Sequence, residues 1–130
     1  MNQLTRLIKS LICQSGPITF AKFMELALYH PEYGYYTSGT ANIGKKGDYY
    51  TSPSVHPAFG EIISRFMYRA SELTGASDFT VVEMGAGKGF LALDILDSIK
   101  RNNPEFYDKL SYIIIELSPH LKEEEKVCLK

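Results

Sequence analysis

The 130 residues carry 14 lysines and arginines against 15 aspartates and glutamates, a formal net charge of −1, and 45% hydrophobic residues. That composition fits one globular domain able to bury about two-thirds of its unfolded surface, with no bulk attraction to nucleic acid or to an acidic membrane. No apolar run approaches the ~18 residues that span a bilayer, and Cys13 and Cys128, at opposite ends of the chain, form no metal-type spacing.

The two cysteines read as free thiols of a reducing compartment. The N-terminal stretch MNQLTRLIKSLICQSG has neither the Arg- and Ser-rich character of a transit peptide nor a signal-type cleavage site, which makes the cytoplasm the default expectation. Leu4, Leu7, Ile8, Leu11 and Ile12 recur at helical spacing until Gly16-Pro17 stops them. A second helix follows Thr19 as N-cap, with Phe20, Phe23, Met24, Ala27 and Leu28 on one face, and ends at His30-Pro31. A long irregular stretch then runs to about Pro57, of the length that tends to carry function or mobility. A third helix covers Ala58 to Leu73 with Phe59, Ile62, Ile63, Phe66, Met67, Ala70 and Leu73 as its stripe, closed by Gly75.

The period then changes. Phe79 to Met84 is β-prone, a glycine loop follows, and a helix runs from about Lys88 to Lys100 before Asn102-Asn103-Pro104 breaks it. Ser111 to Glu116 is a second buried strand, and Ser118-Pro119 opens a last helix in which the Glu123-Glu124-Glu125 run is read as a solvated face. Strand, helix and strand over about forty residues form a βαβ unit. The fold class expected is therefore α/β, with residues 1–76 as an N-terminal helical cap segment and 77–130 as the start of a Rossmann-like domain.

Spacing separates the chemistries open to the loop VVEMGAGKGFL. A Walker loop needs a glycine five positions before Gly-Lys and then Ser or Thr, but position 82 is valine and Gly89 follows Lys88. The dinucleotide fingerprint needs a third glycine where Phe90 stands. What remains is E-x-G-x-G-x-G from Glu83 to Gly89, which resembles the loop of class I S-adenosylmethionine methyltransferases. Such a cofactor has no pyrophosphate for the helix N-terminus to bind, so the glycines serve close backbone approach, and Glu83 suits a ligand bearing an ammonium and a sulfonium. Glu116 ends the second strand, 31 residues after Gly85, where an acid accepts hydrogen bonds from ribose hydroxyls. A glycine-rich turn that binds nothing is the competing reading, and a NAD-type ribose would use Glu116 equally well.

Three blocks carry a more specific resemblance: ITFAKFMELALYHPEYGYY from Ile18, GDYYTSPSVHPAFG from Gly47, and VVEMGAGKGFLALDIL with IIIELSPHL. In this order they resemble the MidA-type (mitochondrial dysfunction protein A) methyltransferases. The resemblance implies S-adenosylmethionine as cofactor, held by Glu83, Gly85, Gly87 and Gly89 with Glu116 at the ribose, and it sets Asp48 and Thr51 beside the pocket. Eukaryotic members are protein arginine methyltransferases of the mitochondrial matrix acting on a complex I subunit, so the implied partner is an arginine-bearing protein, and the matrix replaces the cytoplasm if the source is eukaryotic. This chain departs from the family at Ser54, where an acid is usual, and at Glu125, where glutamine is usual. Family members run to several hundred residues, so the chain is expected to be a truncated or split N-terminal portion whose partner is the remainder of the enzyme, with little turnover alone.

Methylating a guanidinium requires carboxylates that hold it and draw off its proton, because its pKa lies above ~12. Asp48 and Glu61 are the candidates for that role, Glu61 being equally a first-turn acid favoured by the helix dipole. Tyr29, Tyr33, Tyr35, Tyr36, Tyr49 and Tyr50 read as packing of the helical segment, or as an aromatic lid. His30 and His56 stand beside prolines in turn or capping roles, and no metal constellation exists. Two further classes stay open: a NAD-type Rossmann oxidoreductase fragment, and a non-catalytic assembly or interaction module.

Overall fold

Where the hydrophobic period shortens after Gly75, the chain passes from helix into sheet. A computed structural model describes residues 2–41, 43–44, 47–75 and 77–130. The chain divides into two compact units, Met1–Ala41 with Leu117–His120 and Asn42–Glu116 with Leu121–Lys130. The boundary expected at residue 76 falls outside the described residues.

In the second unit, strand β1 (Phe79–Met84) pairs in parallel with strand β2 (Leu110–Ile115), Phe79 opposite Leu110 and Met84 opposite Ile115. Parallel pairing demands a crossover, and helix α4 (Phe90–Asn102) supplies it. Pro104 cannot continue α4 and instead opens a short helix, α5 (Pro104–Tyr107), which the sequence reading did not anticipate. Alternation along both strands gives one covered and one open face: Phe79, Val81, Leu110, Tyr112 and Ile114 are half-buried, while Val82, Met84, Ile113 and Ile115 are exposed. The core is Ile95, Ile99 and Phe106, with Phe106 meeting Tyr68 and Phe79 edge-on at 5.7 and 5.6 Å between ring centres. Burying Ile95 and Ile99 contributes roughly 1.5–3 kcal/mol each.

Helix α3 (Ala58–Thr74) crosses α4 through small residues. A Cβ on Gly60 would lie 2.4 Å from the Asp94 Cβ, and one turn on the buried Ser64 and Ser98 hydroxyls meet at 2.7 Å. The stripe expected on α3 is therefore split. Ile63, Met67 and Ala70 are half-buried beside this seam, whereas Phe59, Ile62, Phe66 and Leu73 face outward, Phe66 72% exposed.

In the first unit, helix α1 (Gln3–Ser15) is capped by Asn2, whose side chain accepts from the Thr5 N–H. Helix α2 (Phe20–Tyr29) is capped by Thr19, as expected. His30 then closes a turn, its Nδ1 accepting from the N–H groups of Glu32 and Tyr33 at 3.3 Å while its ring stacks on Tyr33. Tyr36 packs against Tyr29 and Tyr35, at 5.7 and 4.9 Å between ring centres, and its carbonyl accepts from the buried Ser118 hydroxyl. The last helix, α6, runs Pro119–Cys128.

Candidate functional site

The loop between β1 and α4 is shaped by three left-handed glycines, Gly85, Gly87 and Gly89, at φ of +68°, +62° and +80°. L-residues adopt that conformation only at a cost, which explains glycine at every second position. The glycines differ in surroundings. A Cβ on Gly85 or Gly87 would meet nothing within 4 Å, so both present open backbone. Gly89 is buried, 3.6 Å from the Glu125 Cα measured from its hypothetical Cβ, and caps α4. Its φ stops the helix from starting at Lys88, and α4 begins at Phe90, two residues later than expected. The Gly85 N–H donates to the Ile115 carbonyl at 2.8 Å and fastens the loop to the end of β2.

This loop lines a cavity of about 490 Å³ together with Tyr49 and the stretch from Thr51 to Ser54. A parallel bridge between Ile43 and Tyr49 holds that stretch, and Ser52–Ser54 forms a single 3₁₀ turn. His56 ends it, its Nδ1 accepting from the Ala58 N–H at 3.0 Å at the start of α3. Of the residues expected to hold a cofactor, Glu83, Gly85, Gly87 and Thr51 line the cavity. Gly89 lies behind it, and Glu116 follows β2 at the carboxyl end of the sheet; neither lines the cavity. Asp48 is exposed and outside the lining. Glu61, in the first turn of α3, faces Arg101 at 3.4 Å and is also outside it.

Glu83 is half-buried, and the Tyr112 hydroxyl donates to its Oε2 at 2.7 Å. Burial pushes the Glu83 carboxyl above its usual range while the Tyr112 bond draws it back, and burial with the neighbouring Glu83 raises the Tyr112 hydroxyl strongly. Tyr112 was missed as a site residue. The signal was present, since parallel neighbours two positions apart share a face, and position 112 is two before Glu83's partner, Ile114. Lys88, the one cation among the described lining residues, lies 3.9 Å from Glu124. Glu125 corrects the solvated-face reading: it is 6% exposed, because α6 turns Leu121 and Glu125 inward, one turn apart. Among the described residues no group of three or more His, Cys, Asp or Glu side chains is arranged to hold a metal.

Residues 62–130 match a family model described as "Putative S-adenosyl-L-methionine-dependent methyltransferase". The chain belongs to this methyltransferase family. The membership expected from the three sequence blocks is thus borne out. The chain is 31% identical over 123 residues to the mitochondrial protein arginine methyltransferase NDUFAF7 homolog of Drosophila melanogaster, covering 94% of this chain and 28% of the relative. It is 34% identical over 141 residues to the mitochondrial protein arginine methyltransferase NDUFAF7 of Mus musculus, covering 99% and 32%. Among solved structures, a COG1565 superfamily member from Burkholderia thailandensis bound to S-adenosyl-homocysteine superposes with a TM-score of 0.81 at 27% identity, over 97% of this chain and 33% of that one. A native COG1565 superfamily structure from the same organism gives 0.72 at 26% identity, over 97% and 30%. The chain spans about a third of the length of the proteins it matches.

Proposed function

We propose that this chain is the cofactor-binding part of an S-adenosylmethionine-dependent methyltransferase that acts on arginine in a protein. The observation that carries the reading is the joining of Glu83, held by Tyr112, and the open glycines Gly85 and Gly87 in one cavity. Those residues fit the cofactor's chemistry: bare backbone admits a close-lying chain, and a carboxylate at the strand end receives an ammonium. The bound cofactor would supply an electrophilic methyl on a sulfonium, for in-line transfer.

The work of this chain's own residues is alignment. Glu83, Gly85 and Gly87 hold the amino-acid end, Glu116 the ribose hydroxyls, and Gly89 the entry into α4. Thr51, in the turn across the cavity, bears on the same ligand, and Asp48 stands three residues earlier on the same stretch. Asp48 and Glu61, the latter paired with Arg101, are the candidates for steadying a guanidinium. The acceptor is a protein arginine, as the relatives' names indicate for those proteins, and the family resemblance points to a subunit of the respiratory complex I type. On the same reasoning a eukaryotic source would place the protein in mitochondria, as the relatives' names do for them, and a bacterial source in the cytoplasm.

Isothermal titration of the full-length protein with S-adenosylhomocysteine tests the reading. Binding in the wild type and its loss, by tenfold or more, in Gly85→Val is expected, because a β-branched residue at φ +68° both strains the loop and fills the open approach. No binding, or binding indifferent to Gly85→Val, would sink it. Enhanced NADH fluorescence would favour the oxidoreductase instead.

A further inference from the structure

The turn across from the glycine loop carries a second cavity, of about 410 Å³. Thr51, Ser52 and Phe59 line it and the cofactor cavity alike, so the two share a wall. Backbone hydrogen bonds fix that wall. The Ser54 N–H donates to the Thr51 carbonyl at 2.9 Å and the Val55 N–H to the Ser52 carbonyl at 3.0 Å. The His56 Nδ1 takes the Ala58 N–H across Pro57, which has no N–H of its own. By contrast, the cavity of about 420 Å³ at Tyr68, Glu72, Glu105 and Lys109 has no lining residue in common with the cofactor cavity.

The two adjoining cavities differ in chemistry. Glu83 and Lys88 place charges of both signs in the first. Among the described residues no carboxylate, lysine or arginine lines the second, whose own side is formed by Tyr50, Val55 and His56. Tyr50 is 63% and Val55 45% exposed, and neither packs against the core around Ile95, Ile99 and Phe106. Their apolar surface therefore stands open where a ligand can use it. With Nδ1 occupied, the neutral His56 ring carries its proton on Nε2, a donor suited to a backbone carbonyl. Apolar surface beside such a donor fits a peptide, and nothing there would hold a phosphate. The acid assigned to the cofactor's ribose, Glu116, lines neither cavity, so the second is left for the other reactant.

We propose that the cavity at Tyr50, Val55 and His56 is an acceptor subsite, taking an apolar side chain next to the arginine that is methylated. The subsite rests on the protein-arginine reading above and adds to it a preference in acceptor sequence. In-line transfer needs the acceptor to approach the methyl from the side away from the departing sulfur. Its way in must therefore adjoin the cofactor cavity without being filled by the cofactor, as this cavity does. An apolar side chain seated against Tyr50 and Val55 lets the neighbouring arginine cross the shared wall, where the Phe59 ring offers its face to a guanidinium. Free arginine has no such anchor.

Methylation of two probe peptides, acetyl-Leu-Arg-Leu-amide and acetyl-Ser-Arg-Ser-amide, by the full-length protein at saturating S-adenosylmethionine tests the subsite. The leucine peptide is expected to show a kcat/KM about tenfold higher, carried mainly by KM, because a half-open cavity recovers part of the free energy of burying leucine. Val55→Asp, which puts a charge into the apolar lining, should bring the two peptides within about twofold of each other. Both peptides carry the same arginine, so any pull of the new carboxylate on the guanidinium cancels in that ratio. Calorimetry with S-adenosylhomocysteine should show unchanged affinity in Val55→Asp, which also certifies its fold. Equal methylation of both peptides by the wild type overturns the subsite alone, as does a preference that survives Val55→Asp. A variant that loses S-adenosylhomocysteine affinity overturns it too, by making the cavity part of the cofactor site. Methylation of neither peptide by a wild type that binds S-adenosylhomocysteine brings down the arginine reading and the subsite with it.

Discussion

Removing one hydroxyl, in Tyr112→Phe, isolates the support of the site's principal acid. The Tyr112 hydroxyl donates to Glu83 Oε2 at 2.7 Å, and both side chains are half-buried. A hydrogen bond to a charged acceptor contributes about 1.5–3 kcal/mol, and partial access of water reduces this to about 1–1.5 kcal/mol. The bond favours ionised Glu83 against a burial that disfavours it, so the substitution pushes the carboxyl further up. A carboxyl whose pKa is raised on folding contributes stability that is complete below its unfolded value and is lost as pH rises through the folded one. The deficit of Tyr112→Phe is therefore smallest at pH 4, just below the ordinary glutamate value, and grows toward pH 8. In the full-length protein, about three times the length of this chain, it should reach roughly 1–3 °C in melting temperature. Calorimetric melting of the full-length protein from pH 4 to 8 measures it, and titration with S-adenosylhomocysteine at neutral pH should show about a tenfold loss of affinity. A deficit equal at every pH, or none with unchanged affinity, would refute the role assigned to Tyr112.

Gly60→Ala sets two effects against each other: alanine favours helix by about 1 kcal/mol, but its Cβ would lie 2.4 Å from the Asp94 Cβ and 3.2 Å from the Asp94 carbonyl carbon. Parting two packed helices costs about 1–3 kcal/mol or more, so thermal melting should fall, and a rise would contradict the α3–α4 seam. Gly89→Ala meets only ordinary contacts, at 3.6 Å and beyond, yet carries φ +80°; urea titration should show a loss of about 1–2 kcal/mol from backbone strain alone. Phe106→Ala empties the core between Tyr68 and Phe79 and should cost about 3–5 kcal/mol in the same titration; a loss below about 1 kcal/mol would show that the site collapses freely.

Hydrophobic period and punctuation made most of the architecture legible. β1 lies where the β-prone run Phe79 to Met84 was read, and Thr19, Gly16 and Gly75 bound their helices as capping chemistry dictates. What stayed hidden depends on partners rather than on period. On α3 the apolar residues are too numerous to mark one face, and the inward seam is made by Gly60 and Ser64, which carry no hydrophobic signal. On α6 three consecutive glutamates look alike in a sequence, and only the packing of α6 against Gly89 shows that the third is buried. The same limit applies to the site. Glu83 and the glycines announce themselves by spacing, while Tyr112 becomes visible only once the strand register is known.

The loop's three glycines answer two separate demands, and the distinction bears on which ligand the loop serves. Gly85 and Gly87 keep backbone bare toward the cavity, whereas Gly89 starts α4 and lets α6 pack behind it. A dinucleotide site asks something further of such a loop, because a pyrophosphate dianion must be met by unopposed helix N-terminal N–H groups or by cations. Here Glu83 stands one residue before the end of β1, Glu116 follows β2, Glu125 backs the loop, and Lys88 lies against Glu124. A ligand bearing an ammonium and a sulfonium inverts every one of those signs. The acids around the loop thus disfavour a pyrophosphate by a route independent of the glycine spacing, and that agreement favours the methyl donor over the dinucleotide.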